Sequence, residues 1–352
     1  MVDVKRIVFV VNPISGTTGK RMILNKIDKL IDNKRFAYDI VNTQYAGHAF
    51  EIARNASNRG IEIVCAIGGD GTVNEIASAI VHTDTALAII PCGSGNGLAR
   101  HLHIPMDAIR AIKLINEGSV QLIDYGLINL HPFFCTCGVG FDAFISQKFA
   151  ESGKRGPLTY MENILKNTLN YNPETYELDV EGENEEKMSY KAVLIACANA
   201  SQYGNNAFIA PQASVRDGLM DVTIIEPFNM IEAPQLAIQL FNGTIDQSSR
   251  IKSFRCKNLH IRRQHAGVIH FDGDPIETGE CIDVSIVSQG LRCICPQDEG
   301  LMDVGESIQN AVVEYFNNMY LRSEDLIEQN AQRNRRIMQL NKDILGRLTK
   351  RK

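Results

Sequence analysis

The sequence predicts an α/β fold in which a doubly wound parallel sheet is followed by a mainly antiparallel β domain and a helical tail. Strand-like apolar runs alternate with helical patterns over residues 1–125, whereas strand-like runs follow one another over 126–300. Helices between strands indicate parallel pairing, and polar turns between strands indicate antiparallel pairing. A long, glycine-poor helical pattern occupies 301–352. We therefore expect three regions with these bounds.

The first region alternates strands and helices. Short apolar runs predict the strands, and apolar residues three or four positions apart predict the helices. Glycine-rich turns at 68–71 and 93–97 each follow a strand and precede a helix, at the carboxyl ends of strands where such sheets bind ligands. The predicted elements are, in order, strand 6–11, helix 22–31, strand 37–41, helix 49–56, strand 61–67, helix 73–81 and strand 86–90.

The second region is a succession of strands, which favours a mainly antiparallel β domain. Two helical patterns interrupt it, near 158–169 and 230–241, and the polar segment 181–187 is typical of a hairpin tip. The predicted strands are 133–138, 176–180, 191–197, 221–225, 258–261 and 268–271.

Composition excludes several classes of protein. Hydrophobic residues make up 44% and charged residues 22%, which excludes a disordered or low-complexity chain. The net charge of −5 argues against a generally basic nucleic-acid binder, so we expect no nucleic-acid partner. No apolar run is long enough to span a bilayer and the chain begins directly with a strand-like segment, so we expect neither a transmembrane helix nor a signal peptide.

The cysteines indicate a reducing compartment. Their number, nine, is odd, and most lie inside apolar runs, which is typical of reduced, buried thiols in a cytoplasmic protein. Two pairs, Cys135/Cys137 and Cys293/Cys295, are spaced so that both members share one face of a strand. This spacing differs from that of zinc sites, so we interpret both pairs as structural.

The end of the tail is basic. From Arg333 onward, eight basic residues stand against one acid, and apolar side chains recur on one helical face. A basic amphipathic helix suits an anionic membrane surface. It equally suits packing on the protein body or on a second copy of the chain in a homodimer, and both interpretations stay open.

Six of the 27 glycines are concentrated in the two glycine-rich turns. A strand–glycine turn–helix unit offers unpaired backbone N–H groups and the positive end of a helix dipole, which together suit a phosphate. Asp70 lies inside the first turn, and its charge would repel a bare phosphate. A divalent cation between this carboxylate and phosphate oxygens resolves the conflict. The spacing matches neither a Walker loop nor the dinucleotide fingerprint.

These turns carry recognisable motifs. The segment GGDGTVNE at 68–75 resembles the nucleotide-binding signature of the diacylglycerol kinase and sphingosine kinase family, and PCGSGNGLAR at 91–100 is similar to its second motif. The resemblance extends from residue 6 to about 290. Its further motifs are NP-x-SG at 12–16, the turn from Thr43 to Gly47, GVGFDA at 138–143, AP at 210–211, DGLMD at 217–221 and DGD at 272–274.

The resemblance implies a phosphofructokinase- and NAD-kinase-like first domain, a β-sandwich second domain, an active site between them, and a last strand that can return to the first domain. It also implies an ATP- and Mg-dependent kinase that phosphorylates a lipid hydroxyl as a cytoplasmic protein attached peripherally to a membrane. Carried over to this sequence, the family's nucleotide-binding positions are Asn12, Thr43, Gly68, Gly69, Asp70, Gly71, Thr72, Val73, Asn74, Gly93, Ser94 and Asn96.

The resemblance assigns further roles to acidic residues. Asp70 would help to hold the catalytic Mg²⁺, and Asp272 would accept the proton of the lipid hydroxyl. Asp274 competes for that role, although the family usually has glutamate there. Asp142 falls where sphingosine kinases place an acid near the lipid head group, and a helix cap is its local alternative. A structural Mg²⁺ would be bound by Ser214, Asp217 and Leu219, where the alternative is an ordinary turn.

The motifs leave the identity of the phosphate acceptor open. Diacylglycerol or a related lipid alcohol leads, and a sphingoid base is the first alternative because Ser94 and Gly97 look more like sphingosine kinases. NAD kinase is a distant alternative. A non-catalytic, nucleotide-binding membrane adaptor is the hypothesis from another class.

Overall fold

The computed structural model forms one compact unit up to Glu299. The predicted helix at 158–169, the tail at 301–352 and most of the predicted hairpin tip lie outside the described part of the chain. The described residues are 4–15, 20–152, 171–181, 186–229 and 231–297.

A ten-stranded sheet begins with four parallel strands in the order β2-β1-β3-β4. They are β1 (Lys5–Val11), β2 (Phe36–Asn42), β3 (Ile63–Gly68) and β4 (Ala86–Pro91). The helices of this part are α1 (Lys20–Leu30), α2 (His48–Asn58), α3 (Asp70–Ile80), α4 (Gly97–His101) and α5 (Ala108–Glu117). Helix α1 packs with α5 and α2 packs with α3. The chain passes from β1 outward to β2 and then back past β1 to β3 and β4. Because such crossovers are right-handed in nearly all proteins, this reversal puts helices on both faces of the sheet, and the predicted doubly wound sheet is confirmed.

The same sheet continues with antiparallel strands. They are β5 (Ser119–Ile128), β6 (His131–Phe133), β8 (Glu174–Val180), β9 (Glu186–Ala192), β13 (Asn258–Arg263) and β16 (Cys281–Cys295). The long strand β16 pairs with β13 near its start, with β5 along most of its length, and in parallel with β4 at Cys293. The last strand thus returns to the parallel part. Strand β5 runs without a break through residue 125, and the domain boundary there stays a prediction.

A second sheet of six antiparallel strands has the order β12-β11-β10-β7-β14-β15. Its strands are β7 (Thr136–Gly140), β10 (Leu194–Ala198), β11 (Met220–Ile225), β12 (Ile251–Cys256), β14 (Gly267–Phe271) and β15 (Asp274–Thr278). One core, which includes Phe133, Tyr176 and Ile195, joins it to the antiparallel part of the first sheet. The β sandwich that the resemblance implies is therefore present. Helices α6 (Phe141–Ser152) and α7 (Ala233–Phe241) follow the strands of this half.

Three predicted elements differ from the structure. The predicted strand 191–197 breaks at Val193, whose N–H donates to the Ile225 carbonyl, and the chain passes there from one sheet to the other. The predicted helix at 230–241 begins at Ala233, with a proline in its first turn as helix starts favour. The predicted strand 133–138 breaks after Phe133, and this break forms part of the site described below.

The thiols follow the prediction. All nine cysteines are free, and all but Cys281 are buried. Within the described ranges, no group of three or more His, Cys, Asp or Glu side chains is arranged to hold a metal ion.

Candidate active site

The two glycine-rich turns touch each other at the carboxyl ends of β3 and β4. A Cβ on Gly93 would lie 2.5 Å from the Cα of Gly69, which no side chain can tolerate. The side chain of Asn96 closes the second turn, because it accepts from the N–H of Gly93 at 2.9 Å and donates to the carbonyl of the same residue at 2.9 Å. Ser94 is exposed at the tip. Glycine is therefore required here by the close approach of two backbones.

Asp70 joins the two turns. Its Oδ2 accepts from the N–H of Asn96 at 2.8 Å, and its Oδ1 accepts from the N–H of Gly97 at 2.7 Å, at the start of α4. Burial raises the pKa of Asp70, the two amides lower it, and the charge of Asp272 raises it again. Each carboxylate oxygen keeps one further lone pair. The predicted site residue thus has a structural task and still keeps acceptor capacity for a cation.

The other predicted nucleotide residues of the first half surround these turns. Asn12, at the end of β1, donates to Oγ1 of Thr72 at 3.0 Å. Thr43 follows β2, and its N–H donates to the carbonyl of Val11 at 2.8 Å. The side chains of Thr72 and Val73 are buried, and the N–H of Val73 already donates to the carbonyl of Gly69 at 3.1 Å. Only the backbone N–H groups that precede Val73 at the start of α3 can therefore face a phosphate.

Glu75 is a positioning residue that the assignment from the motifs omits. Its two oxygens accept from the N–H groups of Gly47 and Ala49, at 2.9 and 3.0 Å. The carboxylate of α3 thereby caps the start of α2 and holds the turn that follows Thr43. Glu75 is the last residue of the motif GGDGTVNE, so the sequence did contain a signal for this role.

Asp272 lies in a tight turn between β14 and β15. Asp272 and Gly273 have φ values of +48° and +88°, the left-handed pair of a two-residue Asp-Gly hairpin turn. The backbone N–H of Asp272 donates to the carbonyl of Thr136 at 2.8 Å, which ties this turn to β7. The turn therefore sets the direction of the Asp272 side chain.

Four donors hold the Asp272 carboxylate. Oδ2 accepts from the N–H of Phe134 at 2.9 Å and from Nδ2 of Asn74 at 2.9 Å. Oδ1 accepts from the N–H groups of Cys135 and Thr136, at 2.8 and 3.1 Å. The three successive backbone amides come from the break in the predicted strand 133–138, and they form a nest for an anion. Asn74, predicted to contact nucleotide, is buried and turned toward Asp272 instead.

Burial raises the pKa of Asp272, while the Asn74 amide and the three backbone amides lower it. Asp274, in contrast, is an exposed residue. The Oδ2 of Asp274 lies 4.0 Å from the position that a Cβ on Gly71 would take. Both acids of the DGD motif thus lie near the first glycine-rich turn, Asp272 half-buried and held by four donors, Asp274 exposed.

Asp142 is not open to solvent. Its side chain is 4% exposed, and its Oδ2 accepts from the hydroxyl of Tyr203 at 3.1 Å and pairs with Nε2 of His270 at 3.0 Å. Its Oδ1 accepts from the N–H of Ala143 at 2.8 Å. This predicted head-group residue therefore lies in an internal hydrogen-bond network. The network includes His270 of β14, which precedes Asp272 by two residues.

The turn predicted to bind a structural Mg²⁺ contains Ser214, Asp217 and Leu219. Oδ1 of Asp217 accepts from the N–H of Leu219 at 3.1 Å, and Oδ2 pairs with Nη2 of Arg255 at 3.1 Å. The same guanidinium pairs with Asp221 through Nε at 3.1 Å. The Arg255 guanidinium pairs with both carboxylates, and a divalent cation bound between them would meet its positive charge, so the residues do not fit a metal ion at this turn.

Two further polar residues of the site were not singled out from the sequence. Asn199 is fully buried, and its Nδ2 donates to the carbonyls of Asp124 and Phe134, which fixes the loop that bears the amide nest. Arg100 donates through Nε to the carbonyl of Gly95 at 3.0 Å and supports the second turn. The role of Asn199 has no local sequence signal, because its partners are distant in the chain, whereas Arg100 is the last residue of the motif PCGSGNGLAR.

Known proteins share this arrangement. The diacylglycerol kinase catalytic domain matches residues 6–128, and the YegS C-terminal NAD kinase beta sandwich-like domain matches residues 135–295. The chain is 30% identical over 290 residues to a protein of Klebsiella pneumoniae (strain 342) named "Probable lipid kinase YegS-like", which covers 81% of this chain and 95% of the relative. A relative of the same name from Enterobacter sp. (strain 638) is 28% identical over 289 residues, covering 80% and 94%.

The fold is also that of a solved structure. The crystal structure of a diacylglycerol kinase from Bacillus anthracis (strain Sterne) superposes with a TM-score of 0.65 at 20% identity, covering 83% of this chain and 97% of that one. Among the described residues, no helix is long and apolar enough to cross a membrane. The two domain matches in tandem and the 30% identity over nearly the whole length of a relative confirm the resemblance found in the motifs: the chain belongs to the YegS-like family of lipid kinases, which carry the diacylglycerol kinase catalytic domain.

Proposed function

We propose that this kinase transfers the γ-phosphate of ATP, with Mg²⁺, to the hydroxyl of diacylglycerol or a related uncharged lipid alcohol. One observation carries the proposal: the Asp272 carboxylate is held between Asn74 of the glycine-turn helix and the amide nest at 134–136. This holds an oriented acid beside two phosphate-binding turns. Phosphoryl transfer depends on such positioning and on charge neutralisation.

The residues present fit a magnesium–nucleotide complex. Asp70 retains acceptor capacity, and its pKa is raised in part by the charge of Asp272, so a cation between the two acids would relieve their repulsion. Mg²⁺ is usually held by one or two carboxylates together with phosphate oxygens. When bound, it would neutralise charge on the phosphates, and the amides at the start of α3 would orient them.

We assign the general base to Asp272. Burial raises its pKa and makes it a better proton acceptor, and of its four donors only the Asn74 side chain can rotate away to free a lone pair for a hydroxyl. Asp274, exposed and facing Gly71, is the competing base.

The internal network of Asp142 supports an uncharged acceptor. A sphingoid base carries an ammonium group, and its recognition needs an available carboxylate. The Asp142 side chain is 4% exposed, and both of its oxygens accept or pair within the protein, with Tyr203, His270 and Ala143, so an ammonium group has no access to it. Diacylglycerol needs no such partner.

The function is tested by measuring transfer of labelled γ-phosphate to diacylglycerol, sphingosine, ceramide and NAD. We expect labelled product with diacylglycerol and little with the other three. Labelling of sphingosine in preference would overturn the acceptor class, labelling of NAD would make the chain a nucleotide kinase, and ATP binding without any labelled product would support the adaptor hypothesis.

The base is tested by comparing Asp272→Asn with Asp274→Asn. We expect the first to lower kcat by roughly 10²- to 10⁴-fold with ATP still bound, and the second to lower it much less. A larger loss for Asp274→Asn would exchange the two roles. Thermal unfolding of both variants shows whether a loss reflects folding instead.

A further inference from the structure

Helix α7 and the turn before it carry an exposed apolar ridge formed by Ile231, Pro234 and Ile238, called here the α7 ridge. Ile231 is 89% exposed and Ile238 59% exposed. Pro234 and Ile238, four residues apart, share one face of the helix, and Ile231 lies in the turn directly before it. The opposite face is anchored, because Leu236 is buried in the apolar cluster that also contains Ile145 of α6.

The ridge is uncharged. Helix α7 has no charged residue over its nine positions. The acid just before it, Glu232, pairs with Nη2 of Arg250 at 2.7 Å. A surface with no charge to desolvate can enter an apolar medium at little cost, whereas exposed isoleucines in water are unfavourable.

A short segment connects the ridge to the active site. The N–H of Phe208 donates to the carbonyl of Leu240 on α7 at 2.9 Å, and the N–H of Asn205 donates to the carbonyl of Gly95 in the second glycine-rich turn at 3.2 Å. Two residues before Asn205, the hydroxyl of Tyr203 donates to Oδ2 of Asp142. The ridge is therefore one loop away from the phosphate-binding turns.

We propose that the α7 ridge is the surface with which this kinase docks on a lipid bilayer, so that the active site lies beside the lipid it phosphorylates. The inference rests on the proposed function, because an acceptor with long acyl chains is held in the membrane. The helix spans about 13 Å at 1.5 Å per residue, which suits shallow insertion in the membrane interface. Since the ridge is uncharged, docking through it depends on apolar contact rather than on anionic lipid.

The test compares wild type, the double variant Ile231→Gln/Ile238→Gln, and the control Ile109→Gln, whose side chain on α5 is 38% exposed. Sedimentation with phosphatidylcholine vesicles containing diacylglycerol measures docking. We expect the double variant to bind these neutral vesicles roughly tenfold or more weakly, the control to bind normally, and wild-type binding to change little with salt.

Activity separates this proposal from the function on which it rests. On long-chain diacylglycerol in vesicles, kcat/KM should fall with binding in the double variant, whereas on a short-chain diacylglycerol dissolved as monomers it should equal that of wild type. Equal vesicle binding by all three proteins, or no wild-type binding, would overturn the docking surface. If wild type phosphorylates neither acceptor, the proposed function fails, while the vesicle measurement still tests the ridge.

Discussion

The Nδ2 of Asn74 donates to Oδ2 of Asp272 at 2.9 Å, across 198 residues of sequence. Asn74 also donates to the carbonyl of Pro132 at 3.0 Å, so one amide group joins the glycine-turn helix to both the β5–β6 hairpin and the DGD turn. The position of the proposed base therefore depends on a residue of the other half of the chain. This contact couples the helix that follows the first glycine-rich turn to the acid that we propose as the base.

Replacing Asn74 by alanine should lower kcat by about ten- to a hundredfold, because the base loses the one side-chain donor that orients it. The KM for ATP should change little, because the glycine-rich turns keep their geometry. The Asn74 amide lowers the pKa of Asp272, so its removal should raise that pKa. The acid limb of the kcat/KM profile should then move to higher pH. Ser78→Ala, which removes a hydroxyl bonded to Asn74 at 3.3 Å, is the control and should keep the wild-type profile. An unchanged acid limb in Asn74→Ala would show that Asp272 is not the titrating base.

Replacing Gly93 by alanine should force the two glycine-rich turns apart, since the new Cβ would lie 2.5 Å from the Cα of Gly69. We expect a loss of stability of about 1–3 kcal/mol and a much weaker affinity for ATP. The matched control is Gly279→Ala, where nothing lies within 4 Å of the added atom. Thermal unfolding and nucleotide titration measure both effects, and wild-type ATP affinity in Gly93→Ala would exclude these turns as the phosphate site.

Local patterns were sufficient to predict the parallel sheet and the positions of both glycine-rich turns. In β3 and β4, an apolar run, a glycine cluster and a helix follow one another within a few residues. The site around Asp272 could not be predicted in this way. The run at 133–138 has only one polar residue, Thr136, and no turn signal before its last position, so its break is not visible in the pattern. Its amides meet a carboxylate about 137 residues later.

The predicted Mg²⁺ site at Asp217 and Leu219 likewise depends on a partner that is distant in the sequence. Asp217 with Leu219 is a local motif, whereas the pairing of Arg255 with that turn depends on the register of β11 against β12, in which Asp221 lies opposite Arg255. A sequence pattern does not contain this register. The pairing of Arg255 with Asp217 could therefore not be predicted from the sequence.

Removal of divalent metal should leave the thermal stability of the nucleotide-free protein unchanged, because Arg255 supplies the cation for Asp217 and Asp221. Arg255→Met should lower the free energy of unfolding by about 1–2 kcal/mol, since it leaves Asp221 partly buried without its partner. Millimolar Mg²⁺ should then restore part of the stability of this variant only. Arg262→Met, at an exposed position of β13, serves as the control. A drop in the Tm of wild type on addition of a chelator would restore a metal ion to this turn.

Acid should destabilise the protein through His101, at the end of α4. Burial, followed by the charges of His103 and Arg216, lowers the pKa of His101 from 6.5 to about 4. Its Nδ1 accepts from the N–H of Ser201 at 3.1 Å, which requires the unprotonated nitrogen. The unfolded chain binds this proton more readily, so the contribution to stability is complete above about pH 6.5 and is lost as the pH falls toward 4.

At pH 5 this loss amounts to about 2 kcal/mol relative to pH 7.5. His101→Asn keeps an acceptor for the Ser201 amide without a titrating ring, so its unfolding free energy should fall less than that of wild type over this range. The raised pKa values of Asp70 and Asp272 act in the opposite direction, since the folded state then retains protons, and they cancel in the difference between the two proteins. Ser201→Ala keeps the buried ring and should retain the wild-type pH dependence. Denaturant unfolding at both pH values measures the effect, and an equal loss in wild type and His101→Asn would assign the acid sensitivity to other groups.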